Sequence, residues 1–233
     1  MNLLAVETGT EACSVALWRA GELAEKHELA PRRHTRLVLP WIEQLLAEAG
    51  LVRSQLDALA VGRGPGAFTG VRLGIAIVQG LALALDRPVV PVSTLAVLAM
   101  RAPADAREIL AAIDARMGEV YLGEFRRDGD GLVRAAGREQ VLPPGMAPLP
   151  AASVHGVGTG FAAEHGLLAE RLGDRLLSMD AQALPHAGDL ARLAAAAFAR
   201  GEAVPADRVE PAYLRDKVAL TLAEQGKPLP DGG

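Results

Sequence analysis

The chain contains 233 residues, of which 50% are hydrophobic but only 3% aromatic, and its formal net charge is −4. A chain of this length buries enough apolar surface to fold without disulfides, and its single cysteine excludes both an internal disulfide and a thiolate cluster for zinc. The hydrophobic content argues against global disorder, and the acidic balance argues against tight, independent binding to nucleic acid. Any role on RNA therefore requires a partner.

Neither a leader peptide nor a membrane span is predicted. The N-terminal apolar run has no basic segment before it and ends in Glu7, which argues against a signal peptide. The longest apolar stretch, residues 71–85, contains Arg72 and Gln79 and is shorter than the roughly 20 residues that a membrane helix requires. We therefore expect a soluble, cytoplasmic protein in which Cys13 is a small buried strand residue.

The first half of the chain reads as strands and helices separated by glycine and proline. Its clearest helix runs from a cap at Thr35 to a stop at Gly50, and Pro40 either kinks this helix or marks its first turn. In chain order, the predicted elements are strands at 3–6, 13–21 and 22–29, the helix at 35–50, a strand at 56–61, a glycine loop at 62–70, a helix from Thr69 or Gly70 to Leu85, a strand at 88–92 and a helix at 94–101.

The second half begins by repeating the first. Residues 110–114 overlay residues 3–7 at an offset of 107, and both are apolar strands that end in an acid. The same offset places Val120 on Cys13, Leu122 on Val15 and Phe125 on Trp18. The repeat predicts two similar halves that each open with a β-hairpin, although two unrelated hairpins could match by chance. Further along, the predictions are a loop at 143–150, a strand at 153–157, an Ala-rich helix at 189–199 and a polar tail from residue 224.

The glycine loop at residues 62–70 lies between a strand and a helix, where free helix amides can bind phosphate. It lacks the Gly-Lys-Ser/Thr ending of a Walker A loop. Pro65 also removes an amide from the loose dinucleotide pattern Gly62-x-Gly64-x-x-Ala67. A phosphate site and a loop that only needs the dihedral angles of glycine both remain open.

The helix at residues 71–85 is apolar almost all round, since only Arg72 and Gln79 are polar. Such a helix must be covered on more than its sheet-facing side. Interior glycine costs about 1 kcal/mol in helix propensity, so close packing against another backbone is the expected compensation. The covering could come from the rest of this chain or from a second subunit. The small residues that recur along this segment are Gly66, Gly70, Gly74, Ala76, Gly80 and Ala84.

Candidate catalytic groups are few. The five histidines show no metal-ligand spacing, so each is expected at the surface and no metal site is predicted. Glu7 and Asp114, one at each strand tip, could face each other across a cleft and hold Mg²⁺ or water, or they could simply cap turns. No cofactor follows from these patterns.

Three runs, at residues 4–17, 62–74 and 113–121, resemble the TsaB (YeaZ) family, bacterial proteins needed to make threonylcarbamoyladenosine beside the tRNA anticodon. The likeness extends from Leu3 to Arg215, where residues 210–215 look like the family's closing motif. It implies an α/β protein with the actin-like ATPase (ASKHA) fold, in which two similar lobes have mixed sheets flanked by helices. The expected lobes are residues 1–102 and 103–223, followed by a tail at 224–233.

The resemblance also implies a function. In this family's pathway, the related protein TsaD transfers the threonylcarbamoyl group to tRNA, and TsaB is its non-catalytic partner. TsaE is a small ATPase that joins the pair. The chain is thus expected to bind and activate a TsaD-like transferase, to meet tRNA only within that complex, and to form a homodimer when alone. The family usually has Asp at the position of Glu7, so Glu7, Thr8, Gly9 and Asp114 are expected to form only a vestigial nucleotide site.

The partner surface is expected on the helix at residues 70–85 and its neighbour at 35–50. One alternative is a nucleotide-binding ATPase or phosphotransferase that uses Glu7, Thr8, Gly9, Asp114 and the glycine loop. A second is a self-associating protein whose homodimer uses the same helix. The expected interface residues are Leu37, Trp41, Gly66, Thr69, Gly70, Arg72, Leu73, Gly74, Ile77, Gly80 and Leu81.

Overall fold

A computed structural model describes residues 1–215, whose strands form two sheets. The first sheet contains β1 (Asn2–Glu7), β2 (Ala12–Arg19), β3 (Glu22–Leu29), β4 (Ala58–Gly62) and β5 (Val89–Val92). These strands lie in the order β3-β2-β1-β4-β5. β1 is antiparallel to β2 and parallel to β4, so the sheet is mixed.

The second sheet is also mixed. It contains β6 (Glu108–Arg116), β7 (Glu119–Arg127), β8 (Val133–Ala135), β9 (Gln140–Leu142), β10 (Val154–Val157) and β11 (Leu176–Asp180). The order is β11-β10-β6-β7-β8, and β9 also pairs with β7. β6 is antiparallel to β7 and parallel to β10. Sequence patterns did not predict β8, β9 or β11, because β8 and β9 have only three residues each and β11 is largely exposed.

Within residues 1–215, five α-helices cover the sheets: α1 (His34–Glu48), α2 (Phe68–Leu85), α3 (Thr94–Ala99), α4 (Leu167–Leu172) and α5 (Ala187–Ala199). α1 and α2 pack on one face of the first sheet. α3 and α5 lie in the layer between the two sheets, and α4 packs on the far face of the second. This layering of two mixed sheets flanked by helices is the expected architecture.

Alanine side chains fill the contact between the first sheet and α5, so this layer of the core is thin. The face of the first sheet that meets α5 is largely methyl groups, and so is the facing side of α5. Short side chains on both surfaces let the helix backbone lie close to the sheet, which explains how a chain with few aromatic residues fills its core. The alanines concerned are Ala5, Ala16, Ala58 and Ala60 on the sheet and Ala187, Ala191, Ala194 and Ala197 on the helix.

The two halves of the chain exchange helices. A boundary between residues 102 and 103 separates β1–β5 from β6–β11. However, α5, which follows that boundary, packs on the first sheet, and α3, which precedes it, packs on β6 and β7 of the second. The end of the expected second lobe and the expected tail at 224–233 lie outside the described residues.

The predicted repeat is present with a change of register. β1–β2 and β6–β7 are both antiparallel hairpins, but Glu7 pairs with Ser14 whereas Asp114 pairs with Val120. The overlay of Val120 on Cys13, and with it the overlays of Leu122 and Phe125, is therefore wrong by one residue. The second hairpin has a shorter turn and a bulge between Asp114 and Arg116.

The boundaries of the predicted helices α1, α2, α3 and α5 each differ from the predictions by no more than two residues at either end. α1 begins at His34, one residue before the expected Thr35, and Pro40 lies inside it. α2 begins at Phe68 and has 18 residues. Among residues 1–215, α2 is the helix long and apolar enough to cross a bilayer by length and composition, a test that core helices of soluble proteins also pass.

Candidate functional site

The carboxyl group of Glu7, at the end of β1, is fully buried. Its Oε1 accepts a hydrogen bond from the Gly9 amide at 2.7 Å, and its Oε2 accepts one from the Thr94 hydroxyl at 3.2 Å. Burial raises the pKa of Glu7 to about 7, and these hydrogen bonds oppose the rise. Glu7 is thus closed off from ligands and joins β1 to the start of α3.

The glycine loop packs against the turn after β1. The Gly9 carbonyl accepts a hydrogen bond from the Ala67 amide at 2.7 Å, and the Thr8 hydroxyl donates to the Gly70 carbonyl at 2.8 Å. A Cβ atom on Gly66 would lie 2.2 Å from the Gly9 carbonyl oxygen. The loop therefore fits the interpretation in which glycine permits close backbone approach, while Gly66, Ala67 and Phe68 also line the cleft described below.

The inner face of α2 and the loop before it carry three glycines that were expected at a partner surface. A Cβ atom on Gly70 would lie 2.0 Å from the Thr8 carbonyl oxygen, and one on Gly74 would lie 2.6 Å from the Thr8 hydroxyl. With Gly66, these residues accommodate the Thr8–Gly9 turn of the same chain. Their assignment to an outer helix-packing face is corrected, because the close approach that they permit is internal. Gly80, by contrast, has no atom within 4 Å of its Cβ position.

The remaining expected interface residues lie on the outer side of α1 and α2. Thr69, Arg72 and Gly80 are exposed, whereas Leu73 is half-buried. The others are half-buried and pack on the edge of the core beneath these helices; they are Leu37, Trp41, Ile77 and Leu81. The sequence argument missed Leu39 of α1 and Phe68 of α2, which are 48% and 57% exposed.

A cleft of about 840 Å³ separates the tips of the two hairpins. One wall comes from the turn after β1 and the start of α2, and the other from the end of β6 and the segment after β10. Asp114 lines this cleft, and its carboxylate accepts hydrogen bonds from the Arg116 amide and guanidinium at 2.7 and 2.8 Å. Glu7 does not line it, so of the two alternatives for these acids the facing pair of carboxylates is not formed.

Residues 211–215 line the open side of the cleft. The Ala212 amide donates to the Arg63 carbonyl at 2.8 Å. The Tyr213 hydroxyl accepts hydrogen bonds from Nε and Nη2 of Arg72 at 2.9 and 2.7 Å. Arg215 forms an ion pair with Glu119 at the start of β7. The sequence had marked this segment only as a family motif, and no local pattern indicates these long-range contacts.

His34 differs from the expectation of a surface residue. It is buried, and its Nε2 lies 3.0 and 3.1 Å from the carbonyl oxygens of Thr10 and Ala12. Cys13 is buried on β2 as expected. Within residues 1–215, no group of three or more His, Cys, Asp or Glu side chains could hold a metal ion.

Comparison with known proteins places this architecture in a family. A family model described as TsaD, tRNA N6-adenosine threonylcarbamoyltransferase, matches residues 26–222. The chain is 44% identical over 226 residues to the tRNA threonylcarbamoyladenosine biosynthesis protein TsaB of Escherichia coli (strain K12), which covers 94% of this chain and 96% of that protein.

The likeness extends to a second relative and to a solved structure. Haemophilus influenzae TsaB is 42% identical over 229 residues, covering 94% of this chain and 95% of that protein. YeaZ from Pseudomonas aeruginosa, a solved structure, is 49% identical, has a TM-score of 0.84 and covers 91% of this chain and 99% of that one. The expected actin-like ATPase fold is confirmed, and the chain belongs to the TsaB (YeaZ) family.

Proposed function

We propose that this chain is a non-catalytic subunit for threonylcarbamoyladenosine synthesis at position 37 of tRNA, which binds and activates a TsaD-like transferase. The observation that carries the proposal is the outer face of α2. Only 28% of the residues of this 18-residue helix are buried within the chain. Its side chains are apolar apart from Thr69, Arg72 and Gln79, which is unusual for a helix with so few buried residues.

Gly80 strengthens the argument for a partner on this face. Glycine in a helix interior costs about 1 kcal/mol relative to alanine. Gly70 and Gly74 offset that cost by admitting the turn after β1, but nothing in the described part of the chain approaches the Cβ position of Gly80. Because glycine has no side chain, a partner backbone could approach the helix closely at this point.

The proposed surface extends from α2 to α1. Leu37 and Trp41 of α1 and Ile77 and Leu81 of α2 pack on the same core and remain half-buried. Leu39 adds an exposed apolar side chain on α1. Tryptophan is enriched among the residues that contribute most binding energy at interfaces, and the aliphatic side chains around Trp41 would exclude water from it.

Several partners follow from this proposal. Since the family model that matches the chain is that of a TsaD transferase, the transferase and this chain share a fold, and one surface could serve a heterodimer and, when the chain is alone, a homodimer. A TsaE-like ATPase would join the pair, and tRNA would bind only to the complex. The proposed location is the cytoplasm, without membrane attachment.

The substitution Gly80→Leu tests the interface. A leucine at this position has open space within the chain and raises helix propensity, so the fold should be kept. It would obstruct a partner helix and is expected to weaken binding to the transferase at least about tenfold and to abolish the homodimer. Calorimetry and sedimentation measure these effects, and circular dichroism verifies the helix content.

Gly137→Leu is the matched control, since Gly137 also has open space around its Cβ position but lies away from both helices. It should bind the transferase as the unmodified chain does. Wild-type affinity in Gly80→Leu would show that the partner does not use this face of α2. Gly74→Leu is unsuitable as a test, because its side chain would collide with Thr8 and unfold the chain.

The cleft favours one alternative function, that of a nucleotide-binding ATPase or phosphotransferase. Its volume of about 840 Å³ is sufficient for a nucleotide, and Asp114 lines it. Against this alternative, Glu7 is sealed in the interior and Asp114 is engaged by Arg116. Calorimetry of the purified chain with ATP and Mg²⁺ separates the two functions: we expect no tight binding, and micromolar affinity would favour the enzyme.

A further inference from the structure

Residues 211–215, here called the strap, cross the open side of the cleft and contact both of its walls. We infer that the strap holds the two sheets at a set separation and positions the N-terminal end of α2 for the partner, with Tyr213 and Arg215 as positioning residues. This inference rests on the proposed function, because it concerns the same partner surface on α2.

On the side of the first sheet, the strap has two contacts. The Ala212 amide donates to the carbonyl of Arg63, in the glycine loop just before α2. The Tyr213 hydroxyl receives two donors of the Arg72 guanidinium, whose carbon atom lies 3.8 Å from the centre of the Phe68 ring. Phe68 and Arg72 belong to the first turns of α2. The strap therefore determines where the Arg72 side chain lies on the proposed partner surface.

On the side of the second sheet, the strap is held by a partly buried guanidinium. The Arg215 side chain is 17% exposed, and its Nη2 lies 2.5 Å from a Glu119 carboxylate oxygen. The same nitrogen donates to the carbonyls of Ala115 and Arg116 at 3.2 and 3.4 Å. Arg116 and Met117 have left-handed backbone conformations in this turn. Arg215 thus closes the turn between β6 and β7 and fixes the strap to it.

The two attachments differ in strength. The Arg215 attachment combines a partly buried ion pair with two carbonyl contacts, and hydrogen bonds of charged groups are stronger than those between neutral groups. The Tyr213 attachment is a hydroxyl–guanidinium contact by a residue that is 56% exposed. Among residues 1–215, Arg72 forms no ion pair with a carboxylate, so the Tyr213 hydroxyl is its fixed polar partner. A change in the separation of the sheets would consequently act on α2 through Tyr213.

Two variants and one control test the inference. Tyr213→Phe keeps the ring but removes the hydroxyl, and Arg215→Ala removes the attachment to the second sheet. Tyr121→Phe is the control, because Tyr121 also lines the cleft and its hydroxyl has no hydrogen bond within the described residues. Affinity for the TsaD-like transferase is measured by calorimetry. The separation of the walls in the isolated chain is measured between spin labels at Glu11→Cys and Ala162→Cys, since native Cys13 is buried.

We expect Tyr213→Phe and Arg215→Ala to weaken transferase binding about tenfold, and Arg215→Ala to broaden the distance distribution, with Tyr121→Phe unchanged in both measurements. If the unmodified chain binds the transferase and both variants bind equally well, the positioning role is wrong while the proposed function stands. If the unmodified chain does not bind, the proposed function fails. The distances between the spin labels then test the role of the strap independently of the partner. An unchanged distance distribution in Arg215→Ala would show that the strap does not set the separation of the two sheets.

Discussion

At the scale of a single residue, the buried side chain of Glu7 fits against the backbone of Gly62 so closely that no side chain can be added at position 62. A Cβ atom on Gly62 would lie 1.8 Å from a carboxylate oxygen of Glu7, so the buried glutamate occupies the space that any other residue at position 62 would need. Its hydrogen bonds to Gly9 and Thr94 hold the turn after β1 against α3. Here the acid joins structural elements and does not contact a ligand.

Glu7 makes the stability of the chain depend on pH. Its pKa is raised from 4.5 to about 7 in the folded chain, so between these values the folded state binds the proton that the unfolded state releases. The contribution of Glu7 to the free energy of unfolding therefore falls by about 3 kcal/mol as pH rises through this window. Glu7→Gln, which cannot ionise, should lose this dependence. Urea unfolding between about pH 5 and 8 measures it.

The comparison of Glu7→Gln with the unmodified chain isolates this carboxyl, because all other titrating groups are common to both. We expect the variant to gain stability relative to the unmodified chain as pH rises. Parallel stability curves over the whole window would contradict a raised pKa at Glu7.

At the scale of the element, α5 is attached to the first sheet by a polar cluster at its N-terminal end. The Glu25 carboxylate of β3 accepts hydrogen bonds from the Ser14 hydroxyl and the Gly188 amide at 2.7 and 3.0 Å, and it lies 3.3 Å from Nδ1 of His186. His186 stacks on His27 with ring centres 3.8 Å apart. A carboxylate at a helix N-terminus also interacts favourably with the helix dipole.

Glu25→Gln should weaken the attachment of α5. Despite the opposing effect of burial, hydrogen bonds from His186, Ser14 and Gly188 lower the pKa of Glu25 from 4.5 to about 2. A lowered carboxyl pKa contributes stability that is present above pH 4.5 and is lost as pH falls toward 2. The variant should cost about 1–3 kcal/mol near pH 7, as is usual for hydrogen bonds to charged groups, and progressively less in acid. Chemical unfolding at neutral and acidic pH measures the difference.

His27 provides a second test of the same cluster, at milder pH. Burial and the neighbouring His186 lower the pKa of His27, so protonation of this ring destabilises the fold as pH falls below 6.5. The loss of stability on mild acidification should therefore be smaller in His27→Gln. An identical loss in both proteins would indicate that His27 does not titrate against the fold.

At the scale of the whole molecule, the two sheets form one layered body because α5 and α3 are exchanged between them. This molecule has 24 Lys and Arg residues against 28 Asp and Glu residues. Binding to RNA draws its salt-dependent free energy from phosphates neutralised by basic side chains, and the chain has no excess of them. The tRNA substrate of the proposed complex should therefore be held mainly by the partner.

The purified chain is accordingly expected not to bind tRNA at about 0.15 M salt. An electrophoretic shift assay of the chain alone, and of the chain with its transferase, measures this directly. The transferase complex should shift tRNA and the isolated chain should not. A clear shift by the chain alone would contradict the prediction.

The sequence by itself determined the local elements and the family. β1, β3, α2 and α5 were predicted within a few residues, because hydrophobic periodicity depends only on neighbouring positions. The motif runs at residues 4–17, 62–74 and 113–121 indicated the family and with it the fold. The net charge of −4 argued against nucleic acid as a partner that the chain binds on its own.

Only the tertiary structure decided which way the glycines of α2 face and what closes the cleft. A small residue permits close approach whether the neighbour is internal or external, and the turn at Thr8 lies more than 50 residues from Gly70 along the chain. Arg72 and Tyr213 meet although they are 141 positions apart. Such contacts depend on how strands and helices are arranged in space, and periodicity along the sequence carries no information about that arrangement.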